Sequence, residues 1–222
     1  MEKRKIIFGT YNTAEHGWTL TGWKFSDPEH KKLYIEKTAG DGAWDYSTAL
    51  SDGIVRYNSR SLVATFECSE GTRLEREATI RQMINQLDGQ RVEIELPDDA
   101  EHYIVGRLEV AREYSNLAHA AVSVSAVCEP WRYAKEETIY TLTPTSSKNT
   151  AVLTNNGRRA IVPEIKLEGA DASVLLEYRT STKSINAGSW LWPALLLTPG
   201  EHPLTYSGSG TLTITYREAV LE

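Results

Sequence analysis

The chain has 222 residues, 24 Lys+Arg against 30 Asp+Glu for a formal charge of -6, 41% hydrophobic residues and two cysteines. That length holds one large or two small domains with a real core, and six tryptophans with ordinary apolar content exclude intrinsic disorder. An acidic chain without a Lys/Arg-rich run has no footprint for a phosphate backbone, so no specific nucleic-acid binding is expected. The longest apolar run, Ala194–Leu197, falls far short of a bilayer span. The charged start Met1–Lys5 is followed by only Ile6-Ile7-Phe8 before Gly9, so neither a membrane segment nor a signal peptide is expected. Cys68 and Cys128, without a CxxC, give neither a disulfide framework nor a zinc site, and read as buried small hydrophobes of a protein made in a reducing cytoplasm.

Residues 10–60 form a long aromatic and Gly-rich stretch with poor patterning of its own, expected to lie against a neighbouring copy. Trp18 and Trp23 flank Leu20 out of phase, so at least one is expected to face outward. Asp41, Asp45 and Asp52 cluster with Trp44 and Tyr46; two carboxylates flanking a sugar bond suffice for glycoside hydrolysis, and Asp beside Gly also caps turns. Leu62–Cys68 is strand-like.

From Thr72 to Leu87 the period changes. Ile80, Met83, Ile84 and Leu87 share one helical face, with Arg73, Arg76, Glu77, Arg81, Gln82 and Gln86 expected outward. Thr72 with Glu75 forms a capping-box pattern, and Gly89 suits the left-handed position beyond the end. Next come three strands expected to be antiparallel: Arg91–Leu96 ending at the Pro97-Asp98-Asp99 turn, His102–Tyr114, and Ala118–Val127. Gly106 within the second implies a bulge or a close backbone contact.

Residues 129–150 are rich in turn formers and suggest a boundary. Beyond it, short strands are expected at Ala151–Leu153, Ala160–Val162, Ile165–Leu167, Val174–Tyr178, Leu195–Leu197 and Thr211–Tyr216, with Asn155-Asn156-Gly157 as a hairpin turn between the first two. This spacing reads as a small antiparallel sandwich. Trp190 and Trp192 share a face of an extended segment, suited to stacking on a sugar ring or to a core or interdomain contact.

No GxSxG, HExxH, GxxxxGK[ST] or strand–GxGxxG–helix pattern occurs, and His16, His30, His102, His119 and His202 lack metal-ligand spacing and read as surface or rim residues. No catalytic residue, metal or cofactor is therefore expected.

The ordered set of features resembles the phage distal tail protein family. It runs from Gly40-Asp41-Gly42 with Asp45 and Ser47, through Ile54-Val55-Arg56-Tyr57-Asn58-Ser59-Arg60, the helix ending at Leu87-Asp88-Gly89, Arg91–Asp99 and Tyr103–Arg107, to Cys128-Glu129-Pro130-Trp131-Arg132-Tyr133. Asn155-Asn156-Gly157, Pro163-Glu164-Ile165 and Leu197-Thr198-Pro199-Gly200 extend it toward a C-terminal galectin-like sandwich. The resemblance implies a mainly β protein with one α-helix: a β-sandwich or split-barrel-like ring domain over 1–135 and a galectin-like β-sandwich over 136–222. It implies a non-enzymatic structural component of the virion tail tip, made in the host bacterial cytoplasm. Such proteins form a homohexameric ring through which DNA passes. The ring joins the tail tube protein to the tail-associated lysin or baseplate hub and carries receptor-binding proteins.

On that reading Trp18, Trp23, Asp41, Asp45, Tyr46, Arg56 and Arg60 are candidate ring-interface residues. Arg56 and Arg60 are equally open to an intrachain salt bridge. Some family members carry a carbohydrate-binding insertion in the C-terminal sandwich, for which this chain has no spare segment. The alternatives are a sugar-binding adhesion module using Trp190 and Trp192, and a hydrolase built on Asp41, Asp45 or Asp52.

Overall fold

A computed structural model describes residues 4–51, 53–116 and 118–222. The chain is mainly β with one helix among the described residues, as the alternating sequence pattern requires. It divides into two compact units, residues 1–130 and 131–222.

The first unit contains β1 (Ile7–Phe8), β2 (Tyr11–Asn12), β3 (Thr19–Phe25), β4 (Tyr34–Glu36), β5 (Ala43–Asp45), β6 (Arg60–Cys68), α1 (Arg73–Leu87), β7 (Arg91–Glu95), β8 (His102–Ser115) and most of β9 (Ala120–Ala134). Its main sheet has the order β2-β1-β7-β8-β9-β6-β3. In β6, Leu62, Ala64, Phe66 and Cys68 point inward, paired in register with Ala126, Val124, Val122 and Ala120 of β9. These residues, with Phe8, Trp18, Ile94, Ile104 and Leu108, pack against Ile80, Met83 and Leu87 of α1. The alternation places every second side chain in one core, which is the main stabilising contribution of the unit.

The helix starts where its capping box forms. The Thr72 hydroxyl accepts from the Glu75 amide (3.3 Å), and the Glu75 carboxylate accepts from the Thr72 amide (2.6 Å). It ends at Asp88, with Gly89 left-handed at φ +74°. Arg76, expected outward, is buried instead: its guanidinium donates to the carbonyls of Gly71 (2.6 Å) and Asn116 (3.2 Å). A guanidinium can follow the apolar stripe inward when carbonyls wait to accept from it.

The second unit contains the end of β9 and β10 (Thr138–Leu142), β11 (Asn149–Asn155), β12 (Glu164–Glu168), β13 (Ser173–Tyr178), β14 (Ser181–Asn186), β15 (Gly188–Leu191), β16 (Gly200–Gly208), β17 (Thr211–Tyr216) and β18 (Ala219–Val220). Two four-stranded sheets, β10-β17-β12-β15 and β11-β16-β13-β14, supply one core around Leu153, Ile165, Val174, Leu176, Leu204 and Ile214. β18 closes the unit by pairing Ala219 with Tyr133 and Val220 with Arg132.

Four sequence expectations fail in this unit. Asn155-Asn156-Gly157 is not a hairpin turn: β11 pairs with β16, and Ile161 forms only an isolated bridge with Leu197. The Asn155 side chain instead donates to the carbonyls of Arg159 and Leu197, and Gly157 lies so close to Ala219 that a Cβ there would stand 2.7 Å from its carbonyl oxygen. Neither residues 160–162 nor residues 195–197 form a strand beyond that one bridge. His202, expected at the surface, is buried, with Nε2 donating to the Thr198 carbonyl (2.6 Å) and Nδ1 2.7 Å from the Tyr178 hydroxyl.

Candidate assembly surface

Between β3 and β6 the chain leaves the main sheet and returns to it more than thirty residues later. Residues 29–42 are exposed without exception. The excursion is a ribbon. At its root Lys31 N donates to Arg56 O (2.8 Å), Asn58 N donates to Glu29 O (2.8 Å), and His30 bridges Tyr57. Further out, β4 and β5 pair Tyr34 with Asp45, Ile35 with Trp44 and Glu36 with Ala43.

The local sequence dictates this hairpin. Gly42, left-handed at φ +74°, turns the chain after Asp41, and Lys37 N donates to Gly42 O. The Asp45 carboxylate accepts from the Ser47 amide (2.9 Å), and the Ser47 hydroxyl accepts from the Leu33 amide (2.9 Å) across the ribbon. Hydrogen bonds from the Ser47 hydroxyl and amide hold the Asp45 carboxyl below the usual aspartate range. Asp45 thus serves as a turn cap. Asp41 stands exposed at the tip, and Asp52 lies outside the described residues.

What this ribbon exposes is apolar. Leu33, Tyr34, Ile35, Trp44 and Tyr46 are each 43% to 56% exposed and Leu50 is 96% exposed, with Val55 nearby. Lys37 sits over the Trp44 ring at 4.7 Å. A two-stranded ribbon has no core of its own and is marginal in water, and clustered exposed aromatic and aliphatic residues mark a protein-binding surface.

The other candidate residues land apart from this face. Trp18 is 0% exposed, donating from its indole to the Tyr11 hydroxyl (3.1 Å), and Trp23 is half-buried against the same core. Trp18 therefore presents nothing to a neighbour; its phase follows the irregular turn at 13–17 rather than β3. Arg60 is 3% exposed, held over the Phe25 ring, so it too is part of the framework, while Arg56 is exposed at the ribbon's root. Trp192 is 6% exposed in the second core; Trp190 is half-buried, donates to the Asn186 carbonyl (2.9 Å) and lies under Lys183. Since Trp192 lies just past the end of β15, the two indoles do not form a shared open platform.

Leu33, Tyr34, Ile35, Trp44 and Leu50 were not singled out as interface residues by the sequence. Their signal was present: apolar residues at both phases of short β-like segments, which no single buried face can accommodate.

A cavity of about 480 Å³ in the first unit is lined by Phe8, Tyr11, His16, Gln86, Leu87 and Gln90, among others. Its titratable lining groups, Tyr11 and His16, stack with ring centroids 4.1 Å apart. Among the described residues no group of three His, Cys, Asp or Glu side chains is placed to hold a metal ion, and no helix is long and apolar enough to cross a membrane.

No protein-family model and no curated protein matches the sequence. Among solved structures, the SPP1 Dit (gp 19.1) protein, described as a paradigm of the hub adsorption apparatus in phages infecting Gram-positive hosts, is similar with a TM-score of 0.72 at 13% identity. The likeness covers 96% of this chain and 98% of that one. The chain has the fold of a phage distal tail protein. Both units take part in the likeness, since neither alone would account for that coverage.

Proposed function

We propose that this protein is a non-enzymatic structural component of a phage tail tip, made in the bacterial cytoplasm and assembled as a ring. In this reading residues 1–135 form the ring and residues 136–222 supply a galectin-like sandwich. The ring joins the tail tube to the hub or tail-associated lysin and carries the receptor-binding apparatus. The observation that carries it is the two-way coverage of the fold likeness to a hub adsorption protein, 96% and 98% of the two chains.

The exposed ribbon supports self-assembly. A closed ring uses a heterologous interface, in which one patch meets a different patch on the next copy. A projecting apolar ribbon supplies one such patch.

Light scattering after size exclusion, across a concentration series of the full chain, tests this reading, with a closed species of about six copies expected. A protein that stays monomeric at every concentration, and whose mass is unchanged by a tail tube or hub protein, would overturn it.

A further inference from the structure

We propose that Arg60 is the positioning residue of the ribbon, locking the junction at Asp27 and Pro28 where the ladder to the main sheet is interrupted. The β3–β6 ladder runs as far as Phe25 paired with Leu62, and Ser26 N adds a bond to Ser61 O (2.9 Å). It resumes at Glu29 with Asn58 and Lys31 with Arg56. Between them lie Asp27 and Pro28, and a proline has no amide to donate. A ribbon joined to a sheet through such a gap pivots there unless something else fixes it.

Side chains fill the gap. The Ser26 hydroxyl accepts from the Ser61 amide (2.9 Å), and Arg60 Nε donates to the Ser26 carbonyl (2.6 Å). The Arg60 guanidinium lies 3.7 Å from the Phe25 ring centroid, at a position otherwise closed to solvent. A planar guanidinium can stack on a ring and donate in its own plane at once, which an ammonium cannot. Arg60 itself is anchored in the sheet, paired with Cys128 of β9. It therefore ties the last residues before the ribbon to the rigid part of the fold and sets the direction in which the ribbon leaves. If the ring reading holds, this fixes the ribbon before any neighbour is met and reduces the ordering cost of assembly.

Hydrogen exchange on the full chain, at a concentration where it is monomeric, tests the lock without reference to assembly. In Arg60→Met the amides of Lys31, Tyr46 and Asn58 are expected to lose protection by roughly ten- to a hundredfold, the loss of one charge-assisted hydrogen bond, while amides of the β6–β9 ladder keep theirs. Arg60→Lys is expected to recover part of the protection, because its ammonium can still reach the Ser26 carbonyl but cannot stack. Unchanged ribbon protection would overturn the proposal, as would a parallel loss in ribbon and sheet, which would make Arg60 a core residue only. Should Arg60→Met fail to fold, Phe25→Leu with Arg60→Lys decides the same comparison. A loosened ribbon in a protein whose wild type never associates would sink the ring reading and leave the lock standing.

Discussion

Gly106 and Cys128 touch across the main sheet: a Cβ added at Gly106 would stand 2.7 Å from the Cys128 sulfur, 3.2 Å from Ile94 Cδ1 and 3.3 Å from the Val127 carbonyl. Gly106 pairs with Val92 in regular register, so the glycine serves a close approach and not a bulge. Gly106→Ala is expected to destabilise the first unit by about 1–3 kcal/mol through overpacking, read from urea unfolding. Adding Cys128→Ala is expected to recover part of that loss. Full additivity of the two changes would refute the contact as its cause.

Burial pushes the Cys128 thiol up to about 12. The thiolate is the nucleophile, so Cys128 is expected to stay unlabelled by an aromatic disulfide reagent at pH 8 in the folded chain and to react once the chain unfolds in urea. Labelling at native conditions, located by peptide mass, would show that the strands around it open readily.

The capping box makes a prediction with a pH sign. The Thr72 amide, then its hydroxyl, holds the Glu75 carboxyl below the usual glutamate range. A group whose value is lowered by folding contributes stability above its unfolded value and loses it as pH falls through the folded one. Thr72→Ala is expected to cost about 1 kcal/mol near neutral pH. That cost should persist in acid, because the hydroxyl accepts from a backbone amide, whereas the cost of Glu75→Ala should shrink as pH falls below the glutamate range, since its carboxylate accepts from the Thr72 amide that either variant keeps. A cost of Glu75→Ala independent of pH, followed by far-ultraviolet circular dichroism during denaturation, would count against the reciprocal cap.

In the second unit the Tyr178 hydroxyl lies 2.7 Å from His202 Nδ1 and 3.2 Å from the Leu196 carbonyl; with Nε2 donating to Thr198, its one proton goes to Nδ1. Tyr178→Phe leaves the buried His202 ring without that hydroxyl and is expected to cost about 1–3 kcal/mol. Thermal unfolding of the full chain checks it, and an unchanged midpoint would mean water replaces the hydroxyl.

The ribbon's apolar face is expected to be dispensable to the single chain. Tyr34→Ser with Trp44→Ser should change monomer stability by no more than about 0.5 kcal/mol, as at other exposed sites. The same pair should raise the concentration needed for self-association by about tenfold or more, as loss of aromatic anchors does. Weakened association with unchanged melting would set this face apart from the core.

The elements with one buried face are legible in the amino-acid sequence. Period two at Val122, Val124 and Ala126 and the 3.6 period at Ile80, Met83 and Leu87 each place alternate residues against one core, and Thr72, Glu75 and Gly89 mark the helix ends by chemistry local to the chain. Other strands lack that signature. β14 buries only Ile185 fully, and β16 carries Pro203, tolerated because the β13 register with β16 stops at Thr205. Asn155-Asn156-Gly157 matches a hairpin turn, yet its first asparagine is claimed by the distant Leu197 carbonyl.

Spacing along the chain and local capping chemistry were enough for the mainly β class and for the capped helix, and an ordered set of motifs carried the family resemblance. The sequence also marked residues 10–60 as poorly patterned, but not which side chains stand outside. Tertiary structure decided that. Trp18 and Arg60 are enclosed by residues far along the chain, while Tyr34, Ile35 and Trp44 stay about half exposed. Burial depends on what the rest of the chain brings to a side chain, and no local pattern carries that information.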